Sequence, residues 1–227
     1  MHFDSLLSTQ YYMRIKSARL DDFDGDCWIY LEVGQHTIKT SSSMTYKDQL
    51  IQELKNTHGH LMAKWMKDSS PFIELAGQVE DFMHRKSPEG KVASLFIIHQ
   101  LIGETIKQLI IFCEFYERVC VYPAKKMETR LNPGMTIKEL IKILNGKIEF
   151  KSKKMIAQAA AEINDLRNSY GHQMIYRMLE QNYDYSELDD IHSRFDAYFE
   201  HFKVGILDLS ALIEKAKKRE VIYKLVK

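Results

Sequence analysis

The sequence predicts a mainly all-α protein, a helical bundle preceded by an irregular N-terminal region. Three observations carry this. Breakers are scarce, with 10 Gly and 4 Pro in 227 residues, against 11 Met, 11 Phe and 12 Tyr, a balance that favours helices. Apolar residues beyond residue 43 recur at helical spacing. Ser70-Pro71 and Ser87-Pro88 mark helix starts, because Pro suits the first helical position. The 45% hydrophobic content and the 32 Lys+Arg against 31 Asp+Glu exclude a disordered chain. They also exclude a histone-like polycation, so any nucleic-acid contact must come from a local patch. Two regions are expected: an N-terminal extension over 1–85 packed on a bundle over 86–227.

Taken in order, a short helix is expected over Leu6–Ala18, then an acidic turn at Asp21–Asp26. Cys27–Val33 and His36–Thr40 form a candidate hairpin about Gly34-Gln35, supported by Trp28, Ile29, Tyr30, Thr37 and Ile38. Ser41-Ser42-Ser43 offers N-caps for a helix that reaches about Lys67, striped by Leu50, Leu54, Leu61 and Trp65. A helix over Pro71–Arg85 follows. The next, about Glu89–Val121, is apolar around most of its circumference, as in a helix surrounded by others. Tyr122-Pro123 and Asn132-Pro133-Gly134 mark a loop. Thr136 caps a short helix, Ile137–Leu144, which Asn145-Gly146 ends. Lys151–Asn168 is helical, Ser169-Tyr170-Gly171 is expected to interrupt it, and a further turn or helix runs from His172 to Glu180. The last helix, Glu187–Arg219, carries Leu188, Ile191, Phe195, Tyr198, Phe202, Leu209, Leu212 and Ala216 at near-heptad spacing.

Cys27, Cys113 and Cys120 are an odd number without a CxxC. Cys113 and Cys120, seven residues apart on one helix, are separated by about 10.5 Å of rise, beyond disulfide reach. Reduced thiols and a cytoplasmic location are expected. Met1–Gln10 lacks the basic start and apolar run of a signal peptide. Val92–Ile111 is interrupted by His99, Gln100, Glu104, Lys107 and Gln108, so a core helix is expected there and no membrane partner.

No Gly-rich phosphate loop, GxSxG, HExxH or paired CxxC is present. The chemistry-bearing segment is Leu166-Arg167-Asn168-Ser169-Tyr170-Gly171-His172. A guanidinium holds phosphate through paired hydrogen bonds, and an imidazole moves a proton near neutral pH. Those are the two groups that metal-free RNA cleavage requires.

Arg167, four intervening residues and His172, with polar Asn168 straight after the Arg, resemble the motif of the HEPN superfamily, Arg-x4–6-His in an all-α bundle. The resemblance covers about the last 130 residues as helix pattern. It implies a metal-independent endoribonuclease, a toxin or phage-defence effector, with no cofactor. It implies catalysis by Arg167, His172 and Asn168, and a homodimer in which two such sets share a cleft. An antitoxin or regulatory protein is a further partner that it allows. Some toxin members carry a Tyr two residues after the His; here that position is Met174, and Tyr176 lies four residues on.

Other features bear on an RNA substrate. Lys142–Lys154 holds five lysines against Glu149, and Lys147, Lys151, Lys153 and Lys154 are candidate phosphate contacts. Tyr170 is a candidate base-stacking ring. The stripe Ile156, Ala160, Ile163, Arg167 fits either a dimer seam or the monomer core. Lys215–Lys227, six bases against Glu220, is a second basic run. Arg194 and His201 also satisfy the spacing but lie in an unbroken helical pattern, and read as face residues. Asp81/His84 and Asp189/His192 are metal-ligand pairs by spacing alone. The chief rival is a non-catalytic helical adaptor binding a nucleotide, RNA or protein.

Overall fold

In the computed structural model, residues 45–56, 74–75, 77–79, 81–82, 87–124, 129–132, 134–179, 185–219 and 222 are described, with side chains left out at 55, 56 and 173–179. The helix over Leu6–Ala18, the hairpin about Gly34-Gln35 and the 85/86 boundary lie outside them. Of the described residues, 82% are helical and none is in a strand, so the all-α expectation holds. The elements are α1 (Tyr46–Asn56), α2 (Pro88–Val121), α3 (Ile137–Asn145), α4 (Lys153–Leu179), a 3₁₀ turn (Ser186–Leu188) and α5 (Ile191–Lys217).

Local chemistry sets most of the starts. Thr45 caps α1: the Asp48 N–H donates to Thr45 Oγ1 at 3.2 Å, and the Thr45 N–H donates back to Asp48 Oδ2 at 3.3 Å. This reciprocal pair, and not the upstream serine run, opens the helix. Ser87 caps α2, accepting from the Gly90 N–H at 3.1 Å, with Pro88 behind it. Thr136 and Glu139 form a capping box on α3, and Gly146 ends it. The last helix begins at Ile191, not Glu187, because 186–190 is spent on a 3₁₀ turn that buries Leu188.

Gly171 does not interrupt the chain. α4 runs unbroken through Ser169-Tyr170-Gly171. Glycine costs a helix interior about 1 kcal/mol, and the burial of Ile156, Ala160, Ile163 and Tyr170 along α4 outweighs that.

α2 is the central rod. It packs against α3, α4 and α5 and buries residues on every side, among them Leu95, Ile98, Ile102, Ile106, Leu109 and Ile110. Each such side chain contributes about 1.5–3 kcal/mol relative to exposure. α2 is the one described helix long and apolar enough to cross a membrane, and half of that window is buried inside the bundle. On α5, Ile191, Phe195, Tyr198, Phe202, Leu209 and Ala216 face the core as expected, joined by Ile206 and Ile213. Between α2 and α5, Thr105 Oγ1 and the Tyr198 hydroxyl share a buried 2.5 Å hydrogen bond. Cys113 and Cys120 are free thiols.

Candidate functional site: a guanidinium between two helices

Ile156, Ala160 and Ile163 are at most 1% exposed. The stripe leading to Arg167 therefore packs inside this chain and is not a free dimer seam. Arg167 extends it to the rim of the α2–α4 contact. Its guanidinium carbon lies 5.1 Å from the centre of the Phe96 ring on α2, a cation–π contact. Nη1 donates to Asn168 Oδ1 at 3.2 Å. Nε is shielded from solvent and has no hydrogen-bond partner among the described residues. Gly171 explains the room: a Cβ built there would stand 3.6 Å from Nη1 and 3.9 Å from Phe96. The glycine that looked like a helix break is a bare bay one turn after Arg167.

One helical turn before Arg167, Asn164 is 4% exposed. Its Oδ1 lies 3.3 Å from His99 Nε2 on α2, and its Nδ2 donates to Asp165 Oδ1 at 3.4 Å. That amide orientation makes His99 Nε2 the protonated nitrogen and leaves Nδ1 an acceptor. Burial, aided by the charge of Arg167, pulls the His99 pKa below its ordinary value, against the hydrogen bond that the ring donates to Asn164. Phe96 meets Arg167 and His99 meets Asn164, so three residues forward on α2 is three back on α4. The two helices run antiparallel here, and this register assembles the group.

His172 is exposed. On a continuous helix, five residues place it about 140° around the axis from Arg167 and about 7.5 Å along it. The structure thus brings Arg167 together with Asn168, Phe96, Asn164 and His99, and sets His172 on another face. By sequence His99 has only a packing or surface role. The signal was there as two i, i+3 pairs, Phe96/His99 and Asn164/Arg167, but nothing in the sequence aligns one helix with the other.

The basic segment divides. Lys147 is 12% exposed and donates to Glu114 Oε1 at 2.6 Å and to Thr129 Oγ1 at 3.0 Å. Lys153 is 2% exposed and gathers the carbonyls of Asn145, Lys147 and Ile148 and the Glu149 carboxylate, all within 3.2 Å. It closes the C-terminal end of α3, whose last carbonyls lack helical partners. These two are structural lysines and correct the expectation of phosphate contacts: each ammonium already has its oxygens. Lys154 is exposed. Lys151 is 75% exposed, with Asp208 at 3.8 Å. Tyr170 is also corrected. It is 2% exposed, with its ring 6.3 Å from that of Tyr185, so it has no open face for a base.

No group of three or more His, Cys, Asp or Glu that could hold a metal occurs among the described residues. Asp189 pairs with Lys91, and His192 Nδ1 lies 3.1 Å from Asp196. His84 is outside the described residues. A cavity of about 350 Å³ is lined by Glu53, Ile111, Glu114, Arg118, Thr129 and Leu131. Its charges are compensated: Arg118 meets Glu53 at 2.9 Å, and Glu114 holds Lys147. Burial pushes Glu114 up, but hydrogen bonds from Lys147 and Thr129 and the charge of Lys147 outweigh it, leaving the carboxyl below its ordinary value.

A scan of protein-family models finds no match, and searches of curated proteins and of solved structures find none either.

Proposed function

We propose that this chain is a metal-independent endoribonuclease of HEPN type, acting as a toxin or phage-defence effector. The observation that carries this is Arg167. Its guanidinium is held in one place by Phe96 and Asn168. A fixed donor fork spends little ordering entropy when a phosphodiester arrives, and stabilises charge that develops on phosphate oxygens. In the reaction, the ribose 2′-hydroxyl attacks the adjacent phosphorus and the 5′-oxygen leaves, giving a cyclic phosphate and a 5′-hydroxyl. Asn168 orients the guanidinium, and exposed His172 transfers a proton. A homodimer frees His172 from serving the Arg167 of its own helix, from which it is turned by about 140°. Exposed Lys151 and Lys154 remain the phosphate-contact candidates of the basic segment.

The second reading is a binding module without catalysis. The angular separation of Arg167 and His172 favours it, since a phosphate held by Arg167 alone is bound and not cut. One experiment decides. Purified protein is incubated with labelled RNA in EDTA beside Arg167→Ala and His172→Ala. Cleavage by the parent alone, with cyclic-phosphate ends, supports the ribonuclease. RNA retention without cleavage supports the binding module, and equal cleavage by all three places the activity elsewhere.

A further inference from the structure

Two features of the Arg167 site are unused by this reading: the imidazole of His99 and the buried amide of Asn164 that orients it. We propose that His99 is a member of the same site, with the phosphodiester held between Arg167 and His99 and the 2′-hydroxyl proton passing to His99 Nδ1. The step rests on the ribonuclease reading. The 2′-O–H bond breaks and its proton goes to Nδ1. The 2′-oxygen bonds to phosphorus, the bond from phosphorus to the 5′-oxygen breaks, and the 5′-oxygen takes a proton from the imidazolium of the His172 of a second copy in the homodimer, since the His172 of the same helix faces away.

Three observations support His99 as the acceptor. First, the Asn164 amide accepts from Nε2–H at 3.3 Å and is itself held by Asp165, which presents Nδ1 as the lone-pair nitrogen. Second, the helix register that sets His99 on Asn164 sets Phe96 on Arg167, one turn along both helices. Third, the ring is half-buried and stays neutral to lower pH than a free imidazole, the form that takes a proton at pH 7. Of the charged groups on the helices packed around it, Arg167 faces it. Asp165 Oδ1 lies 3.4 Å from both the Asn164 amide and Lys138 Nζ, which offsets its charge, and Glu104 and Lys107 on its own helix satisfy each other at 2.7 Å. Bound phosphate therefore has one cation and one neutral base to meet.

The test uses the full chain with inorganic pyrophosphate as the anion probe. The His99 ring is titrated by NMR with and without pyrophosphate, in the parent and in Arg167→Ala. Anion binding at Arg167 removes a repelling charge and adds an attracting one, so the His99 pKa is expected to rise in the parent and not in the variant. In parallel, His99→Gln, which keeps an N–H for Asn164, is assayed on RNA across pH. Its kcat is expected to fall about 10²–10⁴-fold with KM little changed. The acidic limb of the parent's rate profile, where His99 becomes protonated, is expected to disappear. A His99 ring indifferent to saturating pyrophosphate overturns the shared site. RNA cleavage by His99→Gln at the parental kcat and pH profile overturns the proton transfer and leaves the ribonuclease reading standing. A His99 response with no cleavage by the parent upholds the shared anion site and refutes the ribonuclease. Thermal melts of His99→Gln separate misfolding from lost chemistry, and the parent's ring titration requires no variant.

Discussion

Gly171 and Gly205 both lie inside helices, α4 and α5, and replacing each with alanine should move stability in opposite directions. Alanine is favoured over glycine in a helix interior by about 1 kcal/mol, so both sites start with the same gain. At Gly171 the added Cβ meets the Arg167 guanidinium at 3.6 Å and Phe96 at 3.9 Å, ordinary contact distances at an exposed position. The gain survives, and Gly171→Ala should stabilise by about 1 kcal/mol, or roughly 2–4 °C in Tm for a chain of this size. At Gly205 the same atom would sit 3.0 Å from Phe150 Cε2 and 3.1 Å from Ile156 Cδ1. Both neighbours are core side chains, 7% and 0% exposed. Overpacking costs about 1–3 kcal/mol, so Gly205→Ala should be neutral to destabilising by about 2 kcal/mol. Urea titration and thermal melts followed by circular dichroism read both. A Tm for Gly171→Ala below that of the parent would refute the reasoning. It would mean that the helix is interrupted at residue 171, as the sequence suggests, with the glycine in a left-handed conformation where alanine costs about 1–2 kcal/mol.

Further expectations follow from the lysines, the buried carboxyl and the thiols. Lys147→Ala should destabilise by about 3–5 kcal/mol by stranding buried Glu114, whereas Lys154→Ala should be near neutral; denaturant midpoints compare them. Lys153→Met should cost about 1–3 kcal/mol, because the carbonyls it gathers at the end of α3 lose their donor. Because the folded pKa of Glu114 lies below its ordinary 4.5, its contribution is present above about pH 4.5 and is lost as pH falls through the lowered value. That loss should be absent from the Tm–pH curve of Glu114→Gln. Burial, and then the charge of Glu117, push the Cys113 thiol up to about 12, so iodoacetamide at pH 8 should spare it in the folded chain and alkylate it in denaturant, read by mass spectrometry.

Local signals were legible where the chemistry is local. The Thr136/Glu139 box, the Ser87-Pro88 start and the Asn145-Gly146 stop each involve residues within one turn of each other, and the bounds of α2 and α3 fell within a residue or two of expectation. The heptad stripe of α5 pointed inward as read. Gly171 misled because glycine weakens a helix without ending it, and the packing that overrides it is tertiary. The lysines misled for a related reason. A run of five says how much charge is present, but not that Lys147 reaches Glu114 thirty-three residues away or that Lys153 folds back on α3.

By itself the sequence determined the all-α character of the described residues, the helix limits set by caps, and the segment that carries Arg167, Asn168 and His172. Only the tertiary structure decided which groups meet. Periodicity specifies the face of a helix but not its partner or register, and a one-turn slip of α4 along α2 would part His99 from Asn164 and Phe96 from Arg167. The Arg167 site therefore belongs to the packing of two helices, and its imidazole neighbour is His99 from the second of them.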